Sequence, residues 1–192
     1  TTTMWVGAGK WYCEIKETAG AGTSPGEAFV GITDRVTVAG GDELGQHVTE
    51  WAYHQQNGYS RNNNAQASYG DSWAADDIIG IALDITNSKL YFSKNGTWQN
   101  SGDPTSGSTG TGALSITAIG STLHGLWTFA VSSFAITSVG AVASNFQCNF
   151  GGCSAFTVSS GNTDDNGYGN FEYDVPAGYL ALCTKNLGSD GG

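Results

Sequence analysis

The most constraining feature of the sequence is an apolar run of period two that is followed by a hairpin turn. From Asp77 to Ile85 large apolar residues alternate with small or polar ones, as in a β-strand whose two faces differ. Leu90-Tyr91-Phe92 returns as a second strand after a turn at residues 86–88, and Asn95-Gly96 supplies the positive φ angles of a type I′ turn. The opposite face of the first strand predicts close approach by another segment, because it carries only Gly80, Ala82 and Asp84.

The remaining sequence repeats this strand character and contains no helical periodicity of useful length. The runs predicted as strands are Lys10–Glu17, Ala28–Thr33, Val48–His54, Asp77–Ile85, Lys89–Lys94, Leu114–Ile119, Trp127–Val131, Asn145–Phe150 and Gly178–Thr184. Turn residues cluster at Ala19–Gly26, Asn62–Asn64, Ser101–Gly112 and Ser159–Gly169. Serial antiparallel strands without helices must cover their apolar faces with another sheet, which predicts an all-β sandwich or barrel. No charged or proline-rich linker interrupts the pattern, so residues 1–192 are predicted to form a single domain.

The charge of the chain argues against two classes of partner. Its 17 acidic and 7 basic residues give a formal net charge of −10. Such a chain has no electrostatic attraction to nucleic-acid phosphates or to an anionic membrane surface. No stretch approaches the roughly 18 consecutive apolar residues of a membrane span. We therefore expect no nucleic acid as partner and no membrane insertion.

Several segments together resemble the SPRY (B30.2-like) domain, including its versions in bacteriophage proteins. The resemblance extends over residues 9–187, nearly the whole chain. The motifs that carry it are Gly9-Lys10-Trp11-Tyr12-Cys13-Glu14-Ile15, Val30-Gly31-Ile32, Tyr69-Gly70, Asp77-Ile78-Ile79-Gly80-Ile81-Ala82-Leu83-Asp84, Leu90-Tyr91-Phe92-Ser93-Lys94-Asn95-Gly96, Asn149-Phe150-Gly151 and Pro176-Ala177-Gly178-Tyr179-Leu180-Ala181-Leu182-Cys183. The last motif is especially similar to phage versions. The segment Ser101–Ser144 departs from compact members of the family, since it is longer and richer in Gly, Ser and Thr.

The resemblance implies a concanavalin-like sandwich of two antiparallel sheets that presents variable loops to a protein or a glycan. On this basis we expect a non-catalytic recognition or structural module in a bacteriophage virion, as part of a fibre, tail or capsid decoration. Its expected partners are other virion proteins or a host-surface protein or glycan, and assembly into homo-oligomers is compatible with such a role. It would be made in the host cytoplasm. The alternatives are a lectin-like adhesin domain and, less favoured, a carbohydrate-active enzyme.

The sequence offers no convincing catalytic set. His47, His54 and His124 are not accompanied by the GxSxG motif of a serine hydrolase. The closest carboxylate pairs, Glu172 with Asp174 and Asp42 with Glu43, lie beside turn clusters, where a carboxylate is more often solvated. Glu14 is better explained as a structural hydrogen-bond acceptor.

The four cysteines show no metal-site spacing of the CxxC kind. Cys13 and Cys183 lie in apolar runs and are predicted to be small buried residues. Cys148 and Cys153 flank a turn and could form a disulfide if the chain doubled back, although nothing else in the sequence indicates an oxidising compartment.

One loop has the spacing of a calcium site. Asn162, Asp164 and Asn166 occupy loop positions one, three and five, with glycine at position six. Position twelve is Tyr173 in place of the expected bidentate glutamate. The alternative is a polar turn without metal. No other cofactor is expected.

The segment 51–73 is the predicted ligand-binding region, because aromatic residues and arginine are enriched in binding surfaces. Its candidates stand among asparagines and glutamines, which suits either a glycan or a protein epitope. Because Trp51 and Tyr53 alternate in a strand-like run, at least one of them is expected in the core. The candidate residues are Trp51, Tyr53, His54, Tyr59, Arg61 and Trp73.

Overall fold

The computed structural model describes residues 4–19, 27–36, 42–134 and 144–188. Its strands are β1 (Lys10–Ala19), β2 (Glu27–Thr33), β3 (Glu50–His54), β4 (Tyr59–Asn62), β5 (Ala65–Ser68), β6 (Ile78–Asp84), β7 (Lys89–Lys94), β8 (Thr97–Trp98), β9 (Leu114–Ser115), β10 (Thr128–Phe134), β11 (Asn145–Asn149) and β12 (Leu180–Ala181). Short 3₁₀ helices lie at Gln99–Ser101, Pro104–Thr109 and Ile119–Ser121, and one α-helix, α1, at Thr184–Leu187. No helix in the described part of the chain is long and apolar enough to cross a membrane.

The strands form two sheets. The first has the order β11-β1-β6-β7-β8, with β12 beside β1 and β9 beside β7, and the second has the order β10-β2-β3-β4-β5. The strand pairs are antiparallel except for β1 and β12, which run parallel over Trp11–Leu180 and Tyr12–Ala181. The predicted sandwich of two antiparallel sheets is confirmed, with this short parallel pairing as its one departure among the described strands.

The main core lies between the sheets and follows the period-two pattern of the sequence. The first sheet contributes Trp11, Cys13, Ile15, Ile79, Ile81, Leu83, Leu90 and Phe92, and the second contributes Ala28, Val30, Ile32, Tyr53 and Phe129. The hairpin from β6 to β7 has the predicted register, with Ile81 opposite Phe92. Asn95 and Gly96 have φ angles of 48° and 79°, as the type I′ turn requires.

The outer face of the first sheet is covered by a strap, residues 162–183, that follows β11. Tyr12, Ala82 and Tyr91 on the sheet pack against Phe171 and Tyr179 of the strap. The close approach expected at the small-residue face is therefore confirmed. A side chain at Gly80 would have no room, because an added Cβ would lie 2.4 Å from Ser93 Oγ and 2.8 Å from Tyr12 Oη.

Glu14 of β1 anchors this strap to the first sheet. The buried Glu14 carboxylate accepts hydrogen bonds from the backbone N–H groups of Glu172 and Tyr173 and from the Asn149 amide. Its predicted role as a structural acceptor is confirmed. Tyr12 Oη donates a further bond at 3.3 Å.

Several predicted boundaries were wrong. The Gly178–Thr184 run is a strand only at Leu180–Ala181 and continues into α1, while Leu114–Ile119 is a strand only over Leu114–Ser115. β4 and β5 were missed because their residues are mostly polar, although the turn between them falls at Asn63-Asn64, inside the predicted cluster. The predicted turn at Ala19–Gly26 lies, apart from Ala19, outside the described residues.

All four cysteines are free thiols, so the disulfide between Cys148 and Cys153 does not form. Cys13 is fully buried as expected, whereas Cys183 is partly exposed. Burial raises the pKa of the Cys13 thiol well above its ordinary value and also raises that of Cys148. Both thiols therefore stay protonated and poorly nucleophilic at neutral pH.

Candidate functional site

Five of the six predicted binding residues divide between the two faces of the second sheet, and Trp73 lies in the segment between β5 and β6. Tyr53 belongs to the core between the sheets, and its partner across β4 is Ser60. Ala52 pairs with Arg61, and this pair lies on the opposite, outer face of the sheet because residues alternate along a strand. The period-two rule therefore places Trp51 and Tyr53 inward and His54, Tyr59 and Arg61 outward.

Trp51 and Tyr53 pack in or against the core, as expected for at least one of them, and Trp73, a candidate binding residue, is buried there as well. Tyr53 is 0% exposed and Trp73 is 4% exposed, and their rings lie 6.4 Å apart. Trp51 is partly buried and packs against the same core. Aromatic rings buried in the core between the sheets contribute large apolar areas, so these three side chains stabilise the sandwich.

On the outer face, His54 and Arg61 are also buried, at 3% and 7% exposed. His54 stacks on Phe29 with ring centroids 4.3 Å apart, and the Arg61 guanidinium lies 5.2 Å from the same ring. Arg61 pairs with Glu43 and donates to Asn64 Oδ1 at 2.7 Å. Burial, aided by the positive charge of Arg61, lowers the pKa of His54, so the imidazole is neutral at neutral pH.

Tyr59 alone among the six is exposed, at 39%. It lies on the same outer face, beside two amides that are joined to each other by a hydrogen bond of 3.4 Å from Asn57 to Gln66. The side chain of Asn57 also accepts a bond from the Tyr59 N–H at 2.9 Å. This part of the predicted region therefore offers one ring and a small number of amide groups to solvent.

A second and larger exposed feature lies at the end of the sandwich where β2 ends and β3 begins. Of the five exposed large hydrophobic residues in the described chain, Tyr59 is one and the other four are concentrated at this end. Apolar exposure concentrated in one region marks interaction sites more often than scattered residues do. We call this feature the loop-end surface; its residues are Val36 (65% exposed), Val48 (59%), Leu123 (68%) and Leu126 (36%).

Asp34 joins the three segments that carry the loop-end surface. It precedes Val36 by two positions, and its N–H bonds the carbonyl of Thr49, next to Val48, at 3.4 Å. Its carboxylate Oδ2 accepts a hydrogen bond from the N–H of Leu123. His124 Nδ1 donates to the Asp34 carbonyl at 2.6 Å. Three loops that are distant in sequence are thus held around one residue.

The base of the surface is fixed by further contacts. Thr117 Oγ1 donates to the carbonyl of Val48 at 3.3 Å, and Asn62 Nδ2 donates to the same carbonyl at 3.0 Å. Trp127, at 0% exposed, exchanges two backbone hydrogen bonds of 2.8 Å with Val6. The exposed side chains therefore stand on a rigid base.

Sequence reasoning missed the loop-end surface. Leu123 and Leu126 belong to a short stretch, Thr122–Trp127, that combines apolar residues with turn residues and lacks strand periodicity. The available signal was that these apolar residues fit neither a strand face nor a helix face. Such residues are not predicted to be buried in the core, so their exposure could have been expected.

In the predicted calcium loop, the side chains of Asn162 and Asp164 form hydrogen bonds within the protein. Asp164 is buried, and its Oδ1 accepts the N–H groups of Asn166 (3.0 Å) and Tyr168 (2.8 Å). Its Oδ2 accepts from the N–H of Ala181 at 2.9 Å and from Asn186 Nδ2 at 2.6 Å. Asn162 donates to the Glu172 carbonyl. Four N–H donors on one carboxylate fit the polar turn better than a cation, and calcium binding stays an untested prediction.

The carboxylates considered for catalysis are engaged separately. Glu172 accepts hydrogen bonds from Ser159 Oγ and the Ser159 N–H, both at 2.6 Å, and these bonds lower its pKa. Glu43 pairs with Arg61, and Asp42 lies 3.3 Å from His47 Nε2. In the described part of the chain, no three His, Cys, Asp or Glu side chains are grouped to hold a metal ion.

Comparison with known proteins agrees with the topology. The SPRY domain family matches residues 3–120, which is more than half of the chain and includes β1 to β9. No curated protein sequence matches the chain.

Proposed function

The chain belongs to the SPRY domain family, and from this premise we propose that it is a non-catalytic recognition module whose loop-end surface binds a protein partner. The family suggests protein interaction in general. The observation that carries the proposal is the concentration of four exposed apolar side chains at one end of the sandwich. Leaving them in water is unfavourable, and covering them with a partner recovers this free energy.

The fixed geometry of the loops supports the same proposal. A partner that binds a preorganised surface loses less conformational entropy than one that must order its loops. Asp34, Asn62 and Thr117 hold the backbones of these loops in place. The exposed side chains can therefore act as anchors.

The proposal is tested by photo-cross-linking in an extract of the cells or particles that contain the protein. A photoreactive residue is placed at Leu123 and, in a matched control, at Ser108, which is exposed on the 3₁₀ helix Pro104–Thr109. We expect a discrete protein adduct from Leu123 and none from Ser108, competed by unlabelled wild type. A Val36→Ser/Val48→Ser variant should compete poorly. Equal labelling from the two positions would contradict the proposal.

We also propose that this recognition takes place in a bacteriophage particle, with the chain as part of a fibre, tail or decoration. The support is the similarity of the closing segment, Pro176–Cys183, to phage versions of the family. The test is sedimentation of intact particles followed by mass spectrometry. Stoichiometric recovery with the particles is the expected result, and recovery only from the free fraction of the lysate argues against a virion role.

Glycan binding is the second candidate, and the exposed ring of Tyr59 beside Asn57 and Gln66 favours it. Aromatic rings stack on sugar faces, and amides bond hydroxyl groups. We expect any binding on a glycan array to be lost in Tyr59→Ala and kept in Leu123→Ser. Binding that is lost in Leu123→Ser and kept in Tyr59→Ala would indicate a glycan site on the loop-end surface. An array without hits would remove this candidate.

A further inference from the structure

Asp34 is a buried carboxylate that its contacts satisfy only in part. The residue is 0% exposed, and it forms no ion pair among the described residues. In the described part of the chain, one carboxylate oxygen, Oδ1, has no hydrogen-bond partner. Burial of a carboxylate without a cation is unfavourable, and an unpartnered buried oxygen adds to that cost.

Glu17, also 0% exposed, likewise has one carboxylate oxygen without a partner among the described residues, whereas three other buried carboxylates differ from Asp34 in this respect. Asp84, also 0% exposed, pairs with Lys10 at 3.1 Å and accepts two bonds from Asn87. Glu14 and Asp164 each accept four hydrogen bonds. Asp34 is less satisfied than these three groups, yet its Oδ2 holds the N–H of Leu123, the most exposed of the described large hydrophobic residues.

We infer that Asp34 is the positioning residue of the loop-end surface. This inference rests on the proposed function and deepens it. The side chain acts on the partner through Leu123: its carboxylate fixes the Leu123 backbone, and its own backbone fixes Thr49 and His124. Local violations of packing rules are expected at functional sites, because function tolerates a cost that stability alone does not.

Two substitutions separate the role of the Asp34 carboxylate oxygen as a hydrogen-bond acceptor from the role of its negative charge. In Asp34→Asn the amide carbonyl still accepts the Leu123 N–H, and the buried charge is removed. In Asp34→Ala the acceptor is lost, whereas the backbone bonds to Thr49 and His124 stay possible. The asparagine variant should therefore keep the loop in place, and the alanine variant should release it.

Amide hydrogen exchange on the full chain tests this difference. In Asp34→Ala we expect protection of the Leu123 amide to fall roughly tenfold to hundredfold, the equivalent of one hydrogen bond to a charged group. The Trp127 amide, which bonds Val6 at the same end of the sandwich, serves as internal reference and should change much less. Asp34→Asn should leave Leu123 protection near that of the wild type.

Asp84→Ala controls for the loss of a buried aspartate as such. It should lower protection throughout the chain in proportion to stability, without a selective change at Leu123. Unchanged Leu123 protection in Asp34→Ala, or an equal loss at Leu123 and Trp127, overturns the inference. If protection responds as expected but the cross-link from Leu123 is absent in wild type, the positioning role stands and the proposed function fails.

Discussion

The carboxylate of Glu14 accepts a hydrogen bond of 2.8 Å from the backbone N–H of Tyr173, 159 positions later in the chain. Its other oxygen accepts the neighbouring N–H of Glu172 at 2.9 Å. A single side chain of the first strand therefore satisfies two consecutive backbone donors of the strap, neither of which has an alternative acceptor in regular structure.

Glu14→Gln should destabilise the protein although it removes a buried charge. Glutamine has one side-chain oxygen, so one of the two backbone N–H groups would face an NH₂ group. We expect a loss of about 1–3 kcal/mol in the free energy of unfolding, the cost of a buried unsatisfied donor. Urea denaturation measures it, with exposed Asp174→Asn as the control. A glutamine variant as stable as the wild type would show that the strap does not depend on this carboxylate.

The gap between wild type and Glu14→Gln should widen as the pH falls. Burial raises the pKa of Glu14 above its ordinary value of 4.5, against the opposing effect of its hydrogen bonds. The folded state therefore binds the Glu14 proton more tightly than the unfolded state does. The stability gained from this proton is fully present below pH 4.5 and is lost as the pH rises through the pKa of Glu14 in the folded state.

Denaturation of both proteins at about pH 5 and about pH 7 measures whether the stability difference between them grows toward acid pH. The carboxylates with lowered pKa, Asp77, Asp103 and Glu172, contribute the opposite trend but are present in both proteins and cancel. A gap that narrows toward acid pH is incompatible with a raised pKa at Glu14.

Gly31→Ala should be among the most damaging small substitutions in the second sheet. A Cβ at this position would lie 1.9 Å from the carbonyl oxygen of Trp51, and backbone in the centre of a sheet cannot move away. We expect a loss of about 3 kcal/mol or failure to fold. Gly120→Ala, whose added Cβ meets no atom within 4 Å, should be nearly neutral in the same thermal melt. Similar melting temperatures for the two variants would contradict this expectation.

A fragment limited to residues 3–120 should not fold, although this is the part that matches the family. It lacks β10, which pairs with β2 along the edge of the second sheet, and it lacks the fully buried Trp127 and Phe129. It also lacks the strap over Tyr12. We expect no cooperative unfolding transition by circular dichroism. A fragment that melts cooperatively would place the later strands outside the folding unit.

Calcium should not bind at the Asn162–Asn166 loop. A cation would have to displace four N–H donors from Asp164 and leave them without an acceptor. We expect no heat when calcium is added to chelator-treated protein in a calorimeter, and an unchanged melting temperature. Saturable heat that disappears in Asp164→Asn would restore the calcium site.

Local patterns were enough to predict an all-β sandwich or barrel and its central hairpin, and the family resemblance narrowed this choice to the sandwich. Ile81 and Phe92 are close in sequence, and the short turn at residues 86–88 leaves their pairing few alternatives. The roles of Tyr53 and Trp73 were harder to predict, because aromatic residues are common both in cores and in binding surfaces. Their placement depends on which loops return to cover them, and sequence spacing does not encode that.

The loop-end surface shows the same limit more clearly. Asp34 and Leu123 are 89 positions apart, and each lies in a turn without a distinctive motif. Their contact exists because β2 and the segment before β10 are adjacent in the second sheet, a consequence of the complete topology. Whether residues 1–192 form one domain, and what they bind, stay predictions.

The parallel pairing of β1 with β12 has a mechanical consequence. Tension applied between the segment before Lys10 and the segment after Leu182 pulls these two strands in opposite directions along their common axis. The bonds at Trp11–Leu180 and Tyr12–Ala181 are then loaded together in shear, and they cannot open one after another as in an unzipping hairpin. The Glu14 contacts to the strap lie along the same load path, so the first and last strands form a clamp that resists stretching of the domain.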